Sequence, residues 1–520
     1  MIWKTYSANE LRLDLLLAEN KERPSSLSHH TPIYSSIKER LEQRAGLRLH
    51  MPGHAGLLGR IGADFQSWSE LDFTELPGLD DLHKPQGIID QAQRLLARAC
   101  GAQESLILVN GSTSGIHALL MSGAEQEKVI IPRNSHRAFF GGLVLAGSLP
   151  VWIPAEVEPD LGIALAVQPE TIAALLAAHD HVEVAWLTSP SYYGTCCDVA
   201  AISRLLAERG ILLMVDEAHG AHFPFHPQYP NPALQDGAAA VVNGLHKTWP
   251  VLTQCACLNL GCPFPGYMEN DDTDSSRLLH TPRGAQLLSA YHLLTTTSPS
   301  YPFMASIDVA RDFMEREGRR CLQQALELST EYKTRLNQIR GIRCWGEELS
   351  SLPGVKAVDP LKVLITVDEL ELDGIQMANL LRAKYHIELE IAQPRIIMAM
   401  FSLLHCRDAW ERFYQAVKEI AARYPGIGKK HPTNYLNPPW HVVLPPRQAF
   451  MAAKKRVRLE DARNMVAGEM AAVYPPGIPC LLPGELVSDD ILEYLMYLKR
   501  SEVHVQGPAD PRLDYILVIE

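Results

Sequence analysis

Residues 211–248 read ILLMVDEAHGAHFPFHPQYPNPALQDGAAAVVNGLHKT. Ile211 to Val215 is a short apolar, β-branched run of the kind that forms a buried strand. Asp216 stands where that strand would end. A second apolar run, Ala238 to Val242, leads into Asn243-Gly244-Leu245-His246-Lys247, so a lysine follows the next strand end 31 positions after the acid. A carboxylate at one strand end and an amine just past the next suit a pyridine-type cofactor. The carboxylate pairs with a ring nitrogen and keeps it protonated, while the amine condenses with an aldehyde. Pyridoxal phosphate is such a group. The same residues have plainer readings, because an Asp after a strand also caps turns and a His-Lys pair also lies on surfaces.

The sequence upstream narrows the choice. An amphipathic helix is expected over Ile88 to Cys100, with Gly101 as its stop. Ser105 to Val109 reads as a strand, followed by Asn110-Gly111-Ser112-Thr113-Ser114-Gly115 and a helix from Ile116 to Met121. A strand, a hydroxyl-rich turn and a helix start make an anion cradle, although the same turn serves as an ordinary helix cap. The spacings of a P-loop or a dinucleotide fingerprint are absent. Lys128 to Ile131 is a further strand, ending at Pro132-Arg133-Asn134-Ser135-His136-Arg137, with a helix from Ala138 to Ala146 and a strand from Pro150 to Ile153. Val182 to Thr188 leads into Ser189-Pro190-Ser191-Tyr192-Tyr193-Gly194, and Asp198 caps the next helix. This alternation implies a mainly parallel sheet covered by helices on both faces. Ligands of such sheets gather at the carboxyl ends of the strands. Ser112, His136, Ser191, Asp216 and Lys247 all follow expected strands directly.

A net charge of −12 over 520 residues argues against a nucleic-acid footprint. Ten cysteines without paired spacing read as reduced core thiols of a cytoplasmic protein rather than a disulfide scaffold or zinc site. No apolar run reaches the roughly 20 residues a membrane helix needs, and the start has no signal-peptide pattern. Leu11 to Leu17 and Ile37 to Leu41 read as short helices of an N-terminal arm. His50 and His54 have metal-ligand spacing, but the Pro and Gly between them prevent a helix from presenting both on one face. Beyond Ser298-Pro299-Ser300-Tyr301-Pro302 a helical region runs to about Arg340. Lys362 to Val367, Gly374 to Lys384 and Ile396 to Phe401 then outline a smaller α/β domain. Pro432 to Pro446 reads as a linker, and Lys454, Lys455, Arg456 and Arg458 as a solvated helix face.

These residues carry a resemblance. HMPGHAG at 50–56, then TELPGLDDLH, NGSTSG, RNSHR, SPSYYG, VDEAHGAH, HK, TTTSPSYPFMAS and YPPGIPCLLPGE at 474–485 follow one another as in the bacterial ornithine/lysine/arginine decarboxylases. The chain resembles their short form, which lacks a receiver-like N-terminal domain. The resemblance implies an α/β large domain of pyridoxal-phosphate fold type I with a mainly parallel seven-stranded sheet, a smaller α/β domain and a C-terminal α+β domain. The expected boundaries are 1–55 for an N-terminal arm, 56–310, 311–435 and 436–520.

By the same resemblance, Lys247 is the Schiff-base lysine and Asp216 the partner of the pyridinium nitrogen. His136 stacks on one ring face and Ala218 packs on the other. Ser112, Thr113 and His246 bind the phosphate, and Thr297 or Ser298 adds a hydroxyl to the phosphate of a neighbouring subunit in a homodimer. His219 or His246 is the candidate acid for Cα. The implied reaction is decarboxylation of a basic amino acid, with L-arginine to agmatine placed ahead of lysine and ornithine. The head-group reader is open among Glu75, Asp80, Asp81 and Glu485. An aminotransferase or other lyase, with Arg395 as a carboxylate clamp, and a non-catalytic cofactor-binding regulator are the alternatives. Two departures stand out. Gly244 replaces a serine common in the family, a loss of about 1 kcal/mol if nothing substitutes for the hydroxyl. Ala55 replaces a lysine.

Overall fold

A computed structural model describes residues 30–42, 48–158, 161–262, 264–265, 277–426, 439–473, 477–500 and 504–520. The expected helix at Leu11 to Leu17 and much of the 432–446 linker lie outside these residues. The chain divides into two compact units, 1–92 with 298–312, and 93–297 with 313–520.

In the first unit, the helix Pro32–Glu42 has its opening N–H groups at Ile33 and Tyr34 donated to Asp308 Oδ2, at 2.9 and 3.2 Å. Burial raises the Asp308 carboxyl to about 6. Asp80 accepts the N–H groups of Gln86, Gly87 and Ile89, and Asp81 that of His83. Both acids therefore serve their own loop, as an acid does at a turn or helix start. His54 Nε2 lies 3.0 Å from Asp72, while His50 Nδ1 contacts the Met51 carbonyl.

The second unit is built on a seven-stranded sheet. Its strands in chain order are β1 Glu104–Leu108, β2 Lys128–Pro132, β3 Leu149–Ile153, β4 Val182–Thr188, β5 Leu212–Asp216, β6 Ala240–Asn243 and β7 Ala256–Leu260. The spatial order is β1-β7-β6-β5-β4-β2-β3. Strands β2 to β6 and β3 run parallel, and β7 is antiparallel to both neighbours. Successive residues of β4 go to opposite faces: Val184 and Trp186 enter one core, Ala185 and Leu187 the other. Both faces are covered, which is why the strands read as continuous apolar runs rather than alternating ones. The helix expected from Ile116 begins five residues earlier and spans Gly111–Met121, so Ser112 and Thr113 lie in its first turn.

A four-stranded antiparallel sheet follows, ordered Arg343–Trp345, Lys362–Thr366, Ile396–Met400, Ile391–Ala392. The helices Arg319–Leu336, Gly374–Tyr385 and Arg407–Arg423 share its core. In the C-terminal region, Lys454–Arg458 is a strand paired with Tyr515–Ile519, not a helix face. The charged run keeps its side chains in solvent equally well from an edge strand, and local pattern alone does not reveal a pairing partner 60 residues away. Among the described residues no helix is long and apolar enough to cross a membrane.

Candidate active site

The carboxyl ends of β5 and β6 lie side by side, with Asp216 in register with Val242. Asp216 is 4% exposed, and its Oδ1 accepts the Ala218 N–H at 3.1 Å. Burial raises its pKa, and the nearby Lys247 charge pulls it back. Lys247 sits in the one-turn helix Leu245–Thr248 just after β6, and burial lowers its pKa. Its Nζ is 3.0 Å from His219 Nε2. His219 is buried on the turn after β5, and its pKa is pushed well below the ordinary value by burial, then by Lys362 and Lys247. The ring meets Tyr192 edge-on, with centroids 4.9 Å apart. His136, just past β2, is held with Nδ1 accepting the Ala138 N–H at 3.2 Å. Burial, then the Lys247 charge, lowers it to about 4, so it stands neutral at physiological pH.

The turn expected to cradle an anion lies beside Gln254 and Cys255. Gln254 Nε2 donates to the Val109 carbonyl at 2.7 Å, and the Cys255 carbonyl accepts the His246 N–H at 3.1 Å. His246 Nδ1 contacts that same carbonyl at 3.0 Å. The start of the Gly111–Met121 helix, with Ser112 and Thr113, therefore shares an edge with His246. Gly244 has a structural reason. A Cβ there would stand 3.0 Å from the Ala218 carbonyl oxygen and 3.2 Å from Lys247 Cδ, so a serine would need these neighbours to give by a few tenths of an ångström. Thr297 and Ser298 are exposed, and Ser298 falls in the first unit.

Two side chains of this cluster escaped the sequence reading. Lys362, 2% exposed at the start of its strand, places Nζ 3.1 Å from His219 Nδ1. Glu390 accepts the Tyr192 hydroxyl, and its charge acts on both Lys247 and Lys362. Neither follows a strand of the large sheet, so the strand-end rule had no means of finding them. Of the acids left open as head-group readers, Glu485 is 2% exposed and spends Oε2 on Arg133 and the Leu482 N–H. Arg395 forks onto Asp368, at 3.0 and 2.7 Å.

The donor set is chemically specific. An acid, an amine, an imidazole and a helix start are the donor types that would suit the ring nitrogen, aldehyde, ring face and phosphate of pyridoxal phosphate. The strand order with one antiparallel member, and the acid and lysine at adjoining strand ends, define the fold type I class of pyridoxal-phosphate enzymes. Lysine decarboxylase A from Pseudomonas aeruginosa superposes with a TM-score of 0.78 at 19% identity, over 95% of this chain and 81% of that one. The arginine decarboxylase of Bacillus subtilis (strain 168) is 33% identical over 95% of this chain and 98% of its own length. That of Halalkalibacterium halodurans is 31% identical over 95% of this chain and 99% of its own. Residues 31–409 match the family described as Orn/Lys/Arg decarboxylase, major domain, and 429–509 the C-terminal domain of the same family. The chain belongs to the Orn/Lys/Arg decarboxylase family.

Proposed function

We propose that the protein decarboxylates L-arginine to agmatine and CO2 with pyridoxal phosphate. The observation that carries the reaction is the buried Asp216–Lys247–His219–His136 cluster at the strand ends. The full-length similarity to two curated arginine decarboxylases favours arginine over lysine and ornithine. Lys247 would hold the cofactor through its amine, Asp216 would face the ring nitrogen, and His136 and Ala218 would flank the ring. Ser112, Thr113 and His246 would take the phosphate, joined by Thr297 or Ser298 of a second copy; a monomeric holoenzyme with full activity would remove that last assignment. When bound, the cofactor supplies the electron sink for the pair left behind by CO2.

The protein's own contribution is to exclude water and to place protons. Neutral His219, 3.0 Å from Lys247 Nζ, is better placed than His246 to pass a proton beside that amine, because His246 Nδ1 faces a backbone carbonyl. Arg395 pairs with Asp368, which favours the decarboxylase reading over the aminotransferase one. Ten cysteines, none of them in a disulfide, fit a reducing cytoplasm.

The test is product mass spectrometry after incubating the cofactor-loaded protein separately with arginine, lysine and ornithine. Agmatine is expected. Cadaverine or putrescine in its place would move the substrate, and no amine from any of the three would remove the reaction.

The half-buried Glu390 is the carboxylate best placed to meet a cationic head group. A charge-assisted hydrogen bond contributes about 1.5–3 kcal/mol, so Glu390→Gln should raise KM for arginine by about 10–100-fold with a smaller change in kcat. Steady-state kinetics with arginine and uncharged citrulline checks this. An unchanged preference between the two substrates would clear Glu390 of the role.

A further inference from the structure

His219 lies between two lysine amines. Its Nε2 is 3.0 Å from Lys247 Nζ, and its Nδ1 is 3.1 Å from Lys362 Nζ. A neutral imidazole has one N–H and one lone pair, whereas an ammonium only donates. Two ammonium groups cannot both hydrogen-bond to one neutral imidazole, since that would require a lone pair on each nitrogen. With both contacts kept, at most one of these lysines is protonated.

We propose that Lys362 is the protonated member, and that through His219 it holds Lys247 as a free amine able to attack an aldehyde. The Lys362 ammonium donates to Nδ1, which fixes the Nε2–H tautomer. That N–H then points at Lys247, which must offer a lone pair to receive it.

The surroundings favour this order over the reverse. Lys362 faces Asp359 and Glu390, with the Tyr192 ring 5.6 Å away and Met400 Sδ at 3.1 Å. Asp359 is held ionised, below the usual carboxylate range, by His222, Lys362 and the Leu361 N–H. Lys247 faces Asp216 and Glu390, and burial pushes Asp216 toward its neutral form. Negative charge is therefore concentrated on the Lys362 side. His219 also senses His136 and His246, both neutral at pH 7 because burial depresses them. Burial lowers both amines, Lys362 to about 8, so the order between them rests on the acids that each one faces.

The backbone delivers Lys362 to this position. Ala357–Val358 pairs antiparallel with Thr195–Cys196, and the Asp359 N–H donates to the Gly194 carbonyl at 2.8 Å. Gly194, at φ +95°, leaves space for the lysine stem: a Cβ there would come within 2.8 Å of Lys362 Cγ. Lys362 touches His219 rather than the reacting atoms, so it is a positioning residue.

The inference rests on Lys247 being the imine-forming lysine, and the test separates the two ideas. Cofactor-stripped full-length protein is mixed with pyridoxal phosphate, and imine absorbance is followed against pH. In that reaction the amine attacks the aldehyde carbon, C=N forms, and the carbonyl oxygen leaves as water. Failure of the wild type to form an imine that Lys247→Ala abolishes would remove the underlying assignment.

Given that imine, Lys362→Met should raise the apparent pKa of the attacking amine by about one unit and slow imine formation at pH 7 about tenfold. His219→Phe should do the same, and the double variant should add little to either. Lys362→Arg, which keeps a donor-only cation, should retain the wild-type profile. An unmoved profile in Lys362→Met overturns the inference, as does a Lys362→Met shift that persists undiminished in the His219→Phe background, which would mean coupling through space. Should Lys362→Met not fold, ¹⁵N spectra of histidine-labelled wild-type protein decide, with the His219 signal assigned by its loss in His219→Phe. The Nε2–H tautomer is expected, and Nδ1–H overturns the inference.

Discussion

Lys247→Ala is expected to lower kcat by about 10³-fold or more and to abolish the imine absorbance, because the variant lacks the amine that holds the cofactor. Loss of rate alone would be ambiguous, since Lys247 also moderates its surroundings. Whenever it takes up a proton, its charge offsets the burial of Asp216 and lowers His136 and His219 further. Without its side chain the strand-end cluster loses the contact to His219 Nε2. Absorbance and turnover should therefore fall together, while the far-ultraviolet circular dichroism stays that of the wild type. A Lys247→Ala protein that kept both signals would transfer the role to another amine, and Lys362 is the one within reach of the same histidine.

The second large effect concerns stability. Arg133 and Glu485 form an ion pair at 2.9 Å with both side chains 5% exposed or less. Arg133 also donates to the Pro479 carbonyl at 2.8 Å, and its guanidinium lies 5.6 Å from the centroids of Trp152 and Trp440. Burial raises the Glu485 carboxyl, and Arg133 opposes that rise. Removing one partner leaves the other charge buried without compensation, at a cost of about 3–5 kcal/mol. Glu485→Leu should therefore destabilise by that amount in denaturant titration. The double variant Arg133→Met with Glu485→Leu should recover most of the loss, because an apolar pair of similar volume avoids desolvation altogether. Single and double variants of equal stability would show that the orphaned Arg133 charge is not the cause of the loss. Arg133 also opens the loop that ends in His136, so the single variant should release cofactor more readily, which dialysis measures.

The chain's local patterns carried much of this protein. Apolar runs at 184–187 and 211–215 mark strands buried on both faces, and Asp216, Lys247, Ser112 and His136 lie at or just past strand ends. Those signals are local: a strand, its end and the residue after it lie within one short window of sequence. The helix Ile88–Cys100 was legible in full because its apolar stripe and closing glycine are equally local. Where long-range pairing decides, the pattern was mute or misleading. Lys454–Arg458 has the charge of a solvated helix but forms a strand, because Tyr515–Ile519 offers its backbone to it. Asp80 and Asp81, left open as head-group readers or loop caps, accept N–H groups of their own loop. Gly244 reads as a lost hydroxyl until the Ala218 carbonyl beside it is seen.

By itself the sequence determined the strand–helix alternation, the fold class and the residues that emerge at the strand ends, because burial and turn chemistry act over a few neighbouring positions. Only the tertiary structure decided that β7 inserts antiparallel between β1 and β6. It also decided that Lys362 reaches His219 across 143 residues, that Tyr192 meets Glu390 across 198, and that Arg133 meets Glu485 across 352. Contacts at such separations leave no trace in local periodicity. They form where packing brings two polar groups from distant elements together, and that is a property of the folded chain.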